Sequence, residues 1–159
     1  MHQAFLNRQQ QEGRARNAVA DLLQRRLIVP KIYFEAIWPQ TGNRADVLAI
    51  DRAGAGEMHW VEVKTSLDVA LQSLPILKSL PAHFKYLAVP EELQLAPGPD
   101  WYALDGMGRV GLITFRELGS EEMVAEFKLR PERFRQKPEI FDQIDAFTAK
   151  HRPDWEIRD

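Results

Sequence analysis

The sequence predicts an α/β or α+β layered domain, on three observations. A long N-terminal stretch of good helix formers carries apolar residues at helical spacing. Three runs rich in β-branched and aromatic residues then follow one another closely. After them a second amphipathic stretch leads into a short apolar run, and helix, three strands, helix, strand is an order that one sheet with helices packed on it satisfies.

From about Gln3 to Leu27, the residues Phe5, Ala15, Val19, Leu22 and Leu23 recur on one side of a helix, and Pro30 marks its end. Ile32 to Trp38, Asp46 to Asp51 and Met58 to Lys64 read as strands. Turn signals at Pro39 to Gly42 and Ala53 to Gly56 separate them, so a meander is expected. Ser66 or Asp68 caps a second helix, Leu67 to Leu80, with Val69, Leu71, Leu74 and Leu77 as its apolar positions. Pro75 should kink that helix or end its first part. Phe84 to Val89 reads as a short buried strand. Trp101 to Leu104 and Val110 to Phe115 are strands joined by a tight Asp105-Gly106 turn, and Met123 to Leu129 is another. Pro138 to Lys150 is a closing helix with Ile140, Phe141, Ile144 and Phe147 on its apolar face. The 159 residues hold no repeat and fit a single domain spanning 1–159.

With no cysteine, any metal must be held by oxygen or imidazole, which makes hard cations such as magnesium the natural candidates. No apolar run approaches the roughly 20 residues of a membrane helix. The polar stretch Met1 to Arg16 lacks an export signal, so the cytoplasm is the expected address. The net charge of −2 does not advertise a nucleic-acid binder. Basic residues nevertheless crowd Lys128, Arg130, Arg133, Arg135 and Lys137, and Arg130, Arg133 and Arg135 are candidate phosphate contacts.

The chemistry concentrates in two strands. Arg44-Ala-Asp-Val-Leu-Ala-Ile-Asp51 is followed, after a glycine-containing turn, by Trp60-Val-Glu-Val-Lys-Thr-Ser66. Residues two apart on a strand share a face, so Glu62 and Lys64 project together, and an antiparallel neighbour brings Asp46 beside Glu62. Two carboxylates at close quarters repel one another, and a divalent cation relieves that repulsion. Glu126-Phe-Lys128 repeats the Glu-x-Lys form, and a solvent-facing ion pair explains either case. Glu12 adds context, because a helical wheel puts it within the apolar stripe of Phe5, Ala15, Val19 and Leu23. Either it pairs with Arg8 or Arg16 near a fraying helix start, or it is a further carboxylate turned towards the metal.

On Asp46 and Glu62-Val63-Lys64, with the surrounding order of elements, the chain resembles the PD-(D/E)XK nuclease superfamily. The resemblance covers roughly Glu12 to Val89, within a core of about residues 3–90, and lends little to a C-terminal extension of about 100–159. It implies a restriction-endonuclease-like three-layer fold, with a central mixed sheet flanked by helices in the order α-β-β-β-α-β, followed by extra strands and a helix. It implies Mg2+ or Mn2+ bound by Asp46, Glu62 and the Val63 main-chain carbonyl, with Lys64 assisting the attacking water and Glu12 joining them. Gln72 matches a glutamine that several exonuclease-like members carry near the site. Ala45 stands where the family name promises a proline, a departure at a variable position. A fainter similarity to small repair-associated members rests on Leu87 to Pro90 and Gly111 to Ile113.

The expectation is therefore a metal-dependent nuclease that hydrolyses DNA phosphodiester bonds in repair or recombination. Its rival is a catalytically inactive member of the fold that binds nucleic acid or protein, and a third reading makes Asp46, Glu62 and Lys64 an ordinary surface charge cluster. Many small nucleases of this kind dimerise, so a homodimer stays open. The scattered histidines His2, His59, His83 and His151 form no ligand pair, and His59 alternates to the face opposite Glu62. Ala53-Gly-Ala-Gly56 lacks the residues of a phosphate-binding loop. Trp101, Tyr102, Phe134 and Trp155 are read as core rather than as base-stacking residues.

Overall fold

The computed structural model describes residues 2–52, 56–95, 110–119 and 122–156. The elements are α1 (His2–Arg26), β1 (Pro30–Ile37), β2 (Arg44–Asp51), β3 (Glu57–Val63), α2 (Leu67–Ser79), β4 (Phe84–Pro90), α3 (Glu91–Leu95), β5 (Gly111–Leu118), β6 (Glu122–Leu129), α4 (Glu139–Lys150) and β7 (Trp155–Glu156). The seven strands form one mixed sheet in the order β6-β5-β4-β3-β2-β1-β7. β1, β2 and β3 make the expected antiparallel meander, whereas β3 and β4, and β4 and β5, pair in parallel. A parallel pair needs a crossover, and α2 supplies it between β3 and β4.

Helices lie on both faces. Ala15, Val19, Leu22 and Leu23 of α1 pack with Val47, Ala49, Val61, Ile113 and Phe115 on one face. On the other, Ala70, Leu74 and Leu77 of α2 and Ile140, Ile144 and Phe147 of α4 close over Leu48, Ile50, Trp60, Leu87 and Val89. Being covered on both sides is why β4 reads as a continuous apolar run rather than an alternating one. Among the described residues, no helix is long and apolar enough to cross a membrane.

Several expectations shift. Val69 is exposed, because the phase of α2 is set by Ala70, Leu74 and Leu77, which leaves Val69, Gln72 and Ile76 facing outwards. The helix runs through Pro75 to Ser79, since the exposed proline frees only one carbonyl, on a side open to water. Pro30 opens β1 rather than stopping α1, which ends at Arg26. The short α3 and β7 carry too few residues to show a period. The predicted strand Trp101 to Leu104, its Asp105-Gly106 turn, most of the Ala53 to Gly56 turn and the Phe5 side chain lie outside what is described.

The end of the sheet where β3 begins is held by a dense set of contacts. The Lys85 side chain is buried, its Nζ donating to the Lys78 carbonyl at the end of α2 and lying 4.2 Å from the centre of the Phe134 ring. It thus satisfies one of the carbonyls that a helix C-terminus leaves without an intrahelical donor, although burial lowers its pKa to about 8. The irregular segment 130–137 straps across this end through Phe134 N–H to the His83 carbonyl, 2.7 Å, and Gln136 Nε2 to the Ala82 carbonyl, 3.0 Å.

Lys85→Met, which keeps the stem and deletes the ammonium, should lower unfolding free energy by about 1–3 kcal/mol in chemical denaturation, because it orphans a helix-terminal carbonyl. Gly111→Ala should cost a similar ~1–3 kcal/mol. An added Cβ would stand 2.8 Å from Tyr86 Cδ1, 3.0 Å from Pro131 Cδ and 3.2 Å from the Leu129 carbonyl. An unchanged denaturation midpoint for either variant would contradict the packing described.

Candidate functional site

The β2–β3 ladder runs in register from Asp51↔Glu57 to Val47↔Val61 and stops there. Continued by one step it would set Asp46 opposite Glu62. Instead the Asp46 carboxylate turns into the opening and accepts the Val63 N–H through Oδ2 at 2.7 Å. Val63 thereby keeps a partner on the β2 side, while the next amide, Lys64 N–H, donates to the Ala88 carbonyl of β4 at 2.9 Å. In an extended strand a residue's N–H and C=O point to the same neighbour, so the Val63 carbonyl is directed towards the same opening.

The sheet also changes face here. Phe34 of β1 and Val47 of β2 pack on the α1 side, but Ala36 and Ala45, two residues further on, pack on the α2 and α4 side. The pair skipped between them is Glu35 and Asp46, and Glu35 has the left-handed φ of 51°, uncommon for a residue with a Cβ. Glu35 is held by Arg16 of α1, whose Nη1 lies 3.0 Å from its Oε1. Asp46 therefore sits where regular pairing is interrupted towards both neighbours.

The Glu62 side chain is half-buried, 15% of it exposed. The fully buried Trp60 donates from its indole Nε1 to Glu62 Oε1 at 2.9 Å, and Lys64 Nζ lies 3.8 Å from Glu62 Oε2. Burial is the largest influence on Glu62 and raises its pKa to about 7. The Trp60 N–H opposes the rise, the Asp46 carboxylate adds to it by repulsion and by a hydrogen bond to the protonated form, and Lys64 opposes it weakly. A carboxyl held this far up is one drawn out of water with a second carboxylate beside it and little positive charge to offset either.

The structure thus brings Asp46, Glu62, Val63 and Lys64 together and leaves the other candidates apart. Glu12 is exposed, and among the described side chains the buried face of α1 begins at Ala15, on the sheet face opposite to that of Trp60 and Glu62. Gln72 is exposed on the outer side of α2. Arg130, Arg133 and Arg135 belong to the strap at the opposite end of the sheet, and Arg133 is paired with Glu57 at 2.5 Å. From Glu57 to Glu62 the strand rises about 17 Å, so these arginines are not phosphate contacts beside the carboxylates. Glu126 and Lys128 form a 3.2 Å ion pair on an exposed strand, as the solvent-facing explanation requires.

His59 is buried, with Nδ1 2.9 Å from the Tyr86 hydroxyl and its ring stacked on Phe84, and burial lowers its pKa to about 4. It is a neutral structural residue. Sequence reading missed Trp60 as a partner of Glu62, although strand alternation already places the two on one face. It also missed the Glu35 backbone and the Asp46 to Val63 bond, for which a sequence carries no signal.

Among the described residues no three His, Asp or Glu side chains converge to hold a metal. A magnesium ion asks for less, because one or two protein carboxylates suffice when water and phosphate oxygens complete the shell. The Asp46 and Glu62 oxygens, with the Val63 carbonyl directed at the same opening, fit such a hard cation in donor type.

The class defined by these features is an α/β protein with a mixed seven-stranded sheet and a carboxylate pair where β2 and β3 part. No family model and no curated protein matches the chain. Among solved structures, it is similar to the SPO1766 protein of unknown function from Silicibacter pomeroyi. The TM-score is 0.60 at 20% sequence identity, covering 87% of this chain and 82% of that one, a likeness of fold alone.

The raised pKa of Glu62 has a defined consequence for stability. Between the unfolded value of 4.5 and about 7 the folded form holds the proton more tightly, so metal-free stability is greatest below that window and falls as pH rises through it. The loss of this group's contribution should be roughly 3 kcal/mol. Urea denaturation from pH 4.5 to 8 should show this slope, and Glu62→Gln should flatten it. An equal slope in the variant would assign the effect elsewhere.

Proposed function

We propose that this protein is a metal-dependent nuclease of the restriction-endonuclease-like fold, acting on DNA phosphodiester bonds with Mg2+ or Mn2+. The observation that carries the reading is the meeting of Asp46 and Glu62 at the parting of β2 and β3, with Lys64 Nζ 3.8 Å from Glu62 Oε2. The arrangement of a helix, a three-strand meander, a crossover helix and a parallel β4 agrees with the order that the PD-(D/E)XK resemblance implies.

On this reading the Asp46 and Glu62 carboxylates and the Val63 carbonyl hold the cation. When bound, Mg2+ or Mn2+ supplies Lewis-acid polarisation of the phosphoryl oxygen and lowers the pKa of water. Lys64, whose side chain is only a quarter exposed, orients the attacking water and stabilises negative charge developing on the phosphoryl oxygens. Asp46 is fixed through Oδ2 by the Val63 N–H, which leaves its other oxygen for the cation. A role in DNA repair or recombination and a cytoplasmic address go with this reading, and a homodimer is compatible with it.

A second reading, a nuclease-fold module that binds nucleic acid or protein without cutting, is favoured by two observations. Glu12 does not join the carboxylates, and the arginine cluster lies at the far end of the sheet. Mg2+ binding without cleavage would select it.

Wild-type protein should cleave single-stranded, duplex or branched DNA with Mg2+ or Mn2+ and stop with EDTA. Glu62→Ala and Lys64→Ala should lower the rate by about 10²–10³-fold with folding retained, while Glu126→Ala stays at wild-type rate. Cleavage that persists in Lys64→Ala, or that is lost in Glu126→Ala, would sink the assignment.

A further inference from the structure

The two carboxylates are each held by one protein donor. Asp46 Oδ2 accepts the Val63 N–H at 2.7 Å, and Glu62 Oε1 accepts the Trp60 indole N–H at 2.9 Å. Asp46 Oδ1 and Glu62 Oε2 are the oxygens a cation would take, Oε2 facing Lys64 Nζ at 3.8 Å. Trp60 cannot easily release Glu62, because its ring is fully buried among Leu48, Leu87 and the α2 side chains. An indole N–H donates only, so it holds the carboxylate oxygen without competing as a ligand.

We propose that Trp60 is a positioning residue which fixes Glu62 as a one-oxygen ligand and thereby sets the site's preference for Mg2+ over Ca2+. The inference rests on the metal-binding part of the reading above, not on cleavage. Mg2+ demands near-ideal octahedral geometry with single oxygens and retained waters, whereas Ca2+ takes six to eight oxygens and accepts bidentate carboxylates. A Glu62 whose Oε1 is turned towards the Trp60 N–H is held away from the bidentate grip, which needs both oxygens to face the ion. Partners that orient a ligand in this way are typically worth about 10–100-fold in metal affinity.

The test is calorimetric titration of wild type and Trp60→Phe with Mg2+ and Ca2+, beside 1H–15N spectra of the tryptophan indoles. Phenylalanine keeps an aromatic ring in the core and deletes the N–H. The expected result is a loss of Mg2+ affinity of about 10–100-fold in Trp60→Phe, with Ca2+ affinity unchanged or improved. The wild-type Trp60 indole proton should remain in its hydrogen-bonded, downfield position in the Mg2+-loaded protein.

Equal losses for both cations, which a merely structural role would give, overturn the proposal, as does unchanged Mg2+ affinity. In either case the metal site itself survives. If wild type binds neither cation, the metal reading fails and the inference with it. Should Trp60→Phe not fold, the wild-type spectrum decides. An indole proton, assigned through Glu62→Gln, that moves to the position of an unbonded indole when Mg2+ is added overturns the proposal.

Discussion

The bond from Val63 N–H to the Asp46 carboxylate is the contact on which the arrangement of the site depends. A central strand cannot leave a backbone donor unpaired where it is buried, and β3 is covered on both faces. Where the ladder with β2 stops, one donor therefore needs a substitute partner, and a side-chain carboxylate provides it. That substitution does two things at once. It permits the strands to part, and it fixes one carboxylate at the mouth of the gap beside another. Trp60 then anchors the second carboxylate from within the core, so both acids are aimed by buried structure rather than by solvent-exposed side chains.

Much of this was legible in the sequence, for identifiable reasons. Alternating strand residues placed Glu62 and Lys64 on one face, a hairpin placed Asp46 nearby, and the closing helix announced Ile140, Ile144 and Phe147 by their spacing. What escaped was set by phase and tertiary position. The helical wheel gives an angle around α1 but not the point along it at which the sheet begins, which is why Glu12 looked buried. A charge cluster shows composition but not which end of the sheet it reaches, which is why Arg130, Arg133 and Arg135 looked like partners of the carboxylates.

The two Glu-x-Lys pairs show how burial turns one motif into two chemistries. Glu126 and Lys128 meet at 3.2 Å, closer than the 3.8 Å between Glu62 and Lys64, yet Glu126 is half exposed and is shared with Arg116 at 3.9 Å. Water and a second cation leave little for such a pair to do, and exposed pairs of this kind contribute about 0–1 kcal/mol. Glu62 is half-buried, carries a second carboxylate beside it and has its ammonium 3.8 Å away. The tighter ion pair is the more solvated one, and the looser pair is the one in which burial and a neighbouring carboxylate perturb the acid.

The β3 strand divides the labour between its ends. Around Glu57 and Met58 every unusual group is satisfied. His83 Nδ1 accepts the Met58 N–H at 3.0 Å, Lys85 serves a helix carbonyl, and Arg133 meets Glu57. Around Glu62 the sheet instead gives up regularity, with a left-handed Glu35 opposite Asp46 and two strands that exchange faces at that pair. A non-glycine residue in that backbone region costs of order 1–2 kcal/mol, and it persists because Arg16 and the core on both sides hold it. Relaxed to an ordinary extended φ, the pair would restore β-pairing along β1 and β2 and remove the kink at which Asp46 turns towards Val63. The strain therefore goes into orientation: the sheet gives up two regular pairings to aim one carboxylate, and the Arg16 contact and the core on both faces hold it there.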